Sequence, residues 1–81
     1  MRQIQLRETR FTHGNPAFFY QLFSAKSVQR GGVVRRAVRD VEREVGRDAM
    51  LEEVARRGFH LLECAGQFII VCNSDHLTVH L

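Results

Sequence analysis

The sequence predicts a small α+β domain in which a largely antiparallel sheet of three to four strands is covered on one face by three helices. Apolar residues recur at helical spacing in the middle of the chain, and apolar and polar residues alternate near both ends. Glycine or proline marks most of the predicted boundaries. The predicted order is β-α-α-α-β-β-β, and 81 residues suit a single domain spanning 1–81.

The amino-terminal part predicts one strand and one helix. Alternate residues are apolar in Arg2–Arg7, which is typical of a strand with one wet face. Asn15 and Pro16 are residue types that favour a helix cap and a first helical position. The apolar segment that follows predicts a short buried helix over Ala17–Ala25, and Ser27–Gly32 is predicted to be a flexible loop.

The central element is predicted as a helix over Val33–Val45. Its apolar residues fall at helical spacing, at Val34, Ala37, Val38, Val41 and Val45. A strand would place arginines on the apolar side, so the pattern favours a helix. Arg35 and Arg36 then lie in the first turn, where unpaired backbone N–H groups already carry partial positive charge. Positive side chains at this end of a helix destabilise it, and a bound anion would remove that destabilisation.

This arrangement predicts an anion- or partner-binding surface. The segment from Lys26 to Arg47 contains seven cations and three acids, a net charge of +4 in a chain whose net charge is +3. The glycines before the helix are expected to present N–H groups to a phosphate or carboxylate. The predicted surface comprises Arg30, Gly31, Gly32, Arg35, Arg36, Arg39 and Arg43.

The alternative is an ordinary solvated helix face. Arg36 would then pair with Asp40, and Arg39 with Glu42, as surface ion pairs that contribute little to stability.

The carboxyl-terminal half predicts a third helix followed by strands. Asp48 is the expected cap of a helix that runs to Arg57 and ends at glycine. Phe59–Cys64 and Gln67–Cys72 are separated by two residues, which predicts a tight hairpin, and Leu77–Leu81 alternates again. Residues 68–72 of the second strand are all apolar, so this strand is expected to lie between the other two.

Periodicity also predicts the core. The expected buried residues are Phe19, Leu22, Phe23, Val34, Val38, Val41, Val45, Leu51, Val54, Leu61, Ile69, Val71 and Val79. Both faces of residues 68–72 are apolar, so side chains are left over on the second sheet face. We therefore expect that face to allow self-association of the chain as a homodimer.

The cysteines and histidines do not predict a metal site. In a two-residue hairpin Cys64 lies opposite Gln67, and alternation directs Cys64 and Cys72 to opposite faces. His76 and His80 would be too far apart in a strand for chelation. The sequence predicts no metal and no other cofactor.

The sequence also predicts no catalytic residues. Cys64 or Cys72 with His13 or His60 would supply a nucleophile and a base, but the sequence contains no glycine-flanked nucleophile turn. We therefore assign these residues no role. No segment is long and apolar enough to span a membrane, and two cysteines suit a reducing compartment, so we expect a cytoplasmic protein.

Two functions fit this pattern. The first is a small regulatory module that docks an acidic surface of a partner protein through the arginine-rich helix start. The alternative is a sequence-nonspecific DNA- or RNA-binding protein that contacts phosphates with the same arginines. Glu52 and Glu53 in the third helix argue against insertion of that helix into a DNA groove.

Overall fold

The computed structural model describes residues 15–81, and the predicted strand Arg2–Arg7 lies outside them. The described elements, in chain order, are α1 (Pro16–Phe23), α2 (Lys26–Gln29), β1 (Val33–Ala37), α3 (Val38–Glu44), α4 (Arg47–Arg56), β2 (His60–Cys64) and β3 (Gln67–Val71). The three strands form one antiparallel sheet in the order β1-β3-β2. The α+β class is confirmed, with four helices among these residues instead of three.

The hairpin of β2 and β3 is as predicted. Cys64 pairs with Gln67 across a turn of Ala65 and Gly66, whose φ angles of 52° and 73° are both left-handed. Two positive φ angles define the tight turn that matches the twist of an antiparallel pair. The apolar strand β3 is central, as expected, but its second neighbour is β1. Leu77–Leu81 was wrongly predicted as that neighbour, since residues 72–81 form no strand with another described segment.

The predicted start of the central helix was wrong. Val33–Ala37 is a strand, and the helix begins only at Val38. Val34 pairs with Ile70 and both are buried on the face that packs against the helices, and a β-branched side chain suits such a pleated sheet surface. An inward strand residue followed by an inward helix residue mimics one turn of a helical stripe, which explains the error.

The charge arrangement of α3 is therefore conventional. Arg35 and Arg36 precede the helix, so they are not crowded into its first turn. The first turn contains Asp40 and the last turn contains Arg43, as the helix dipole favours. The electrostatic anomaly that the sequence suggested is absent from the structure.

The core lies between the helices and one sheet face, here called the inner sheet face. Its buried residues are Leu22, Phe23, Val28, Val34, Val38, Val41, Val45, Met50, Val54, Phe68, Ile70 and Cys72. Four core predictions were wrong: Leu51 and Val79 are exposed, and Ile69 and Val71 alternate onto the opposite sheet face. Because both faces of β3 carry apolar residues, the sequence did not determine which of them faces the core.

Two helix boundaries also differ from the prediction. Ser27–Gly32 was expected to be a flexible loop, yet α2 occupies much of it and buries Val28. The helix α4 begins at Arg47 after Gly46, so Asp48 lies inside its first turn and is not the cap. The predicted cap at Asn15 is confirmed.

Candidate functional site

The sheet face opposite the core is the candidate site, here called the outer sheet face. It consists of the odd-numbered residues of β1 and β3 and the even-numbered residues of β2, since side chains alternate along a strand. These nine positions are Val33, Arg35, Ala37, His60, Leu62, Cys64, Gln67, Ile69 and Val71.

The centre of the outer sheet face is apolar and partly exposed. Ile69 lies between Arg35 and Leu62 in one row, and Val33 lies beside Val71 in the next. Val33 is 54% exposed and Leu62 is 36% exposed, while Ile69 and Val71 are half-buried. A solvated face of an antiparallel sheet is normally polar, so this composition is typical of a surface that another structure covers.

Among the nine positions of the outer sheet face, Arg35 is the only Lys, Arg, Asp or Glu. Within residues 15–81, no carboxylate lies within 4.0 Å of its guanidinium group. The backbone carbonyl of Asp75 accepts a hydrogen bond from His60 Nε2 at 2.7 Å. His60 is on β2, which is not adjacent to β1.

The predicted arginine surface is divided by the fold. Arg36 alternates to the inner side, opposite Phe68, and its Nη1 donates to the Arg35 carbonyl oxygen at 2.7 Å. Arg39 and Arg43 are exposed on α3, whose other side packs against the core, and Arg30 is exposed at the end of α2. Only Arg35 of the predicted residues belongs to the outer sheet face.

The ion pairs on α3 differ from the predicted ones. Arg43 lies 3.2 Å from Asp40 and 3.6 Å from Glu44. Glu42 instead contacts Arg47 at 3.3 Å. Neither the Arg36–Asp40 pair nor the Arg39–Glu42 pair is formed.

The two glycines before β1 do not present their N–H groups to a ligand. The Gly31 N–H donates to Val28 at 2.9 Å, and the Gly32 N–H donates to Ser27 at 2.7 Å. The Gly31 carbonyl accepts from Asn73 at 2.8 Å. The expected anion site at these amides is therefore not formed, because α2 and the residues after β3 already use this backbone.

Arg47 is a structural cation that the sequence analysis counted only as part of the basic segment. It donates from Nη1 to Glu63 at 2.6 Å and from Nε to Glu42 at 3.3 Å, and its guanidinium lies 5.3 Å from the centre of the Phe68 ring. The hydrogen bond to Glu63 is the main cause of a raised Arg47 pKa and of a lowered Glu63 pKa. This arginine ties α4 to the hairpin.

The cysteines lie on opposite sheet faces, as predicted. Cys64 is exposed at the end of β2, and Cys72 is buried in the core, where burial raises the pKa of its thiol. Across residues 15–81, no three histidine, cysteine, aspartate or glutamate side chains are grouped as a metal site would require. In the same part of the chain, no helix has both the length and the apolar character needed to cross a membrane.

Comparisons with known proteins give no family for this chain. No family model matches it, and neither the curated proteins nor the solved structures contain a match. Its function is therefore inferred from its own residues.

The sequence pattern did not predict the residues at the centre of this face. It assigned no binding role to Leu62 or Val33 and placed the binding surface on the arginines. The sequence feature that points to this face is the apolar character of both faces of residues 68–72. From that feature we predicted only self-association. The candidate site is an apolar sheet face with one arginine, because Arg35 and Arg36 lie in a strand and not at a helix start.

Proposed function

We propose that this chain is a non-enzymatic binding module with a regulatory role, and that it docks an acidic surface of a partner protein through the outer sheet face and Arg35. The observation that carries this proposal is that Arg35 shares a sheet face with exposed Val33 and Leu62, and that the nine positions of this face include no acid.

The need for an acid follows from desolvation. A partner that covers the apolar centre also removes water from the neighbouring guanidinium group of Arg35. An arginine that loses water without a counter-charge costs several kcal/mol, whereas a carboxylate accepts two parallel hydrogen bonds from it. A partner surface with a carboxylate next to apolar residues therefore complements this face.

The alternative is a DNA- or RNA-binding protein that contacts phosphates without base specificity. Arg30 and Arg39 are also exposed and have no carboxylate partner among residues 15–81, which supports a general affinity for anions. However, none of the nine positions is Phe, Tyr or Trp, so the face offers no aromatic platform on which bases would stack. This composition favours the protein partner.

The experiment compares two kinds of polyanion. Fluorescence anisotropy at physiological salt would measure binding of a labelled peptide that combines leucine with glutamate, and gel shifts would test duplex and single-stranded DNA and RNA. We expect the peptide to bind and the nucleic acids not to bind. Arg35→Glu should weaken peptide binding by about tenfold or more, as expected for loss of a charge-assisted contact.

Lys26→Glu is the matched control, because it makes the same change in charge at an exposed position of α2. It should weaken peptide binding by less than about twofold if the contact is local, since distant surface charges are screened. Equal losses for the two variants would contradict a site at Arg35. Nucleic-acid binding with no peptide binding would support the alternative function.

A further inference from the structure

We infer that the partner element covering the outer sheet face is an amphipathic α-helix with acidic residues on one side of its apolar stripe. This inference rests on the proposed function and adds the shape of the partner to its charge.

The dimensions of the face suit one helix. Adjacent strands lie about 4.8 Å apart, so β1 and β2 are separated by roughly 10 Å across β3. A helix with its side chains is about 10 to 12 Å in diameter. Each strand has five residues, a length of roughly 17 Å, which corresponds to about three helical turns.

The apolar side chains supply a surface for such a helix to pack against. Ile69 and Val71 on the central strand are flanked by Val33 on β1 and Leu62 on β2. Ile69 and Val71 are half-buried at the centre of the face, and Val33 and Leu62 at its sides are 54% and 36% exposed, so all four present apolar surface to a helix. An amphipathic helix binds such a surface through residues spaced three and four apart.

The charge of the outer sheet face lies on one side, at β1. This position determines on which side of the partner helix its acidic residues should lie. On the outer sheet face β1 contributes Arg35, whereas β2 contributes Leu62, Cys64 and His60. The carboxylates of the bound helix should therefore lie toward β1, and its β2 side should be uncharged or apolar.

A second copy of this chain is a poorer occupant of the face. Two outer sheet faces packed together would bring Arg35 of both copies to a surface that contains no acid at any of its nine positions. Burial of two guanidinium groups without carboxylates is costly. Two outer sheet faces packed together therefore supply no counter-charge for Arg35, whereas an acidic partner helix does.

The test uses a labelled helical peptide with leucines at positions i, i+3, i+4 and i+7 and glutamates along one side. A scrambled peptide of identical composition removes the stripe while retaining the charge. We expect the helical peptide to bind at least about tenfold more tightly than the scrambled one, a difference of about 1.4 kcal/mol. Leu62→Lys should remove most of that advantage.

Leu51→Lys is the matched control. It makes the same substitution at a leucine of α4 that is 48% exposed and lies away from the outer sheet face. It should leave the affinity for the helical peptide within about twofold of the unaltered chain, because the site is local. Circular dichroism of each variant would establish that it is folded.

The outcomes separate this inference from the proposed function. If both peptides bind equally, or if Leu62→Lys has no effect while Arg35→Glu abolishes binding, the helix inference is wrong and the acidic docking stands. If neither peptide binds, the proposed function fails. If sedimentation shows a dimer that Leu62→Lys converts to a monomer, the occupant is a second copy and the inference is overturned.

Discussion

Asn15 joins two helices through the two ends of one side-chain amide. Its Oδ1 accepts from the Ala17 N–H at 3.2 Å and so caps α1, while its Nδ2 donates to Glu44 Oε1 at 2.7 Å near the end of α3. The cap was predictable from residue type. The contact with Glu44, 29 positions away, depends on the packing of the two helices.

Replacement of Asn15 should therefore cost more than replacement of its partner. We expect Asn15→Ala to lower the free energy of unfolding by about 1 to 2 kcal/mol, because it removes both the cap and the contact between helices. Glu44→Ala removes only the latter and should cost less. Urea unfolding monitored by circular dichroism would measure both, and equal losses would mean that the cap contributes nothing.

The two cysteines should differ in reactivity. Cys64 is exposed, whereas Cys72 is buried with a raised thiol pKa and its Sγ lies 3.6 Å from the Ile70 carbonyl oxygen. Because the thiolate is the reactive form, a chromogenic disulfide reagent should modify one thiol promptly and the other only after denaturant is added. Cys64→Ser should abolish the prompt phase. Two prompt thiols would show that Cys72 is accessible.

At the scale of the element, the turn between β2 and β3 contains a correctable strain. Ala65 adopts a φ of 52°, a conformation that an L-residue with a Cβ atom disfavours, and Gly66 follows with 73°. Asparagine tolerates this conformation and is preferred before glycine in such turns. The hairpin is therefore held by its strands more than by its turn.

Ala65→Asn should raise the free energy of unfolding by about 0.5 to 1 kcal/mol, since it relieves that strain. Ala65→Val is the opposite control and should lower it by about 1 kcal/mol, because a β-branched residue is more hindered at positive φ. Thermal unfolding of both variants would check the two signs. Stabilisation by valine would contradict the turn geometry.

Residues 33–37 were predicted as the start of a helix and form β1 instead. They show that a local pattern of apolar residues does not determine secondary structure by itself. Val34 and Val38 are both buried, one in β1 and the other in α3. Their spacing fits a helix, so the pattern cannot distinguish one helix from a strand that runs directly into a helix. The pairing of Val34 with Ile70, which is distant in sequence, decides between them.

At the scale of the whole molecule, one partly exposed cluster of charged residues links α4 to α1. Glu53 is 13% exposed and accepts from Arg56 at 2.5 Å and from Arg57 at 2.7 Å, while the Arg57 guanidinium lies 4.1 Å from the centre of the Phe23 ring. The hydrogen bond from Arg56, followed by that from Arg57, lowers the Glu53 pKa below its ordinary value of 4.5.

A lowered pKa in the folded state gives stability that is present above the ordinary carboxyl pKa and is lost as the pH falls through the folded value. We expect the free energy of unfolding to decline from about pH 4.5 downward. Glu53→Gln should cost about 1 kcal/mol at neutral pH and should reduce this decline, leaving the part that comes from the lowered Glu63 pKa.

Glu52→Gln is the control for this prediction, because Glu52 is the exposed neighbour on α4 and makes no ion pair within residues 15–81. It should leave both the neutral-pH stability and the acid decline close to those of the unaltered chain. Urea titrations across the acid range would measure this, and an equal decline in all three proteins would contradict the assignment to Glu53.

The sequence by itself determined the α+β class, the hairpin of β2 and β3, the cap at Asn15 and the opposite placement of Cys64 and Cys72. Each depends on neighbouring residues, because turn type, capping and strand alternation are local properties. Only the tertiary structure decided that residues 33–37 form a strand and that Arg35 and Arg36 lie on opposite sheet faces. It also decided which face of β3 is buried, since that depends on distant residues whose contacts no local pattern encodes.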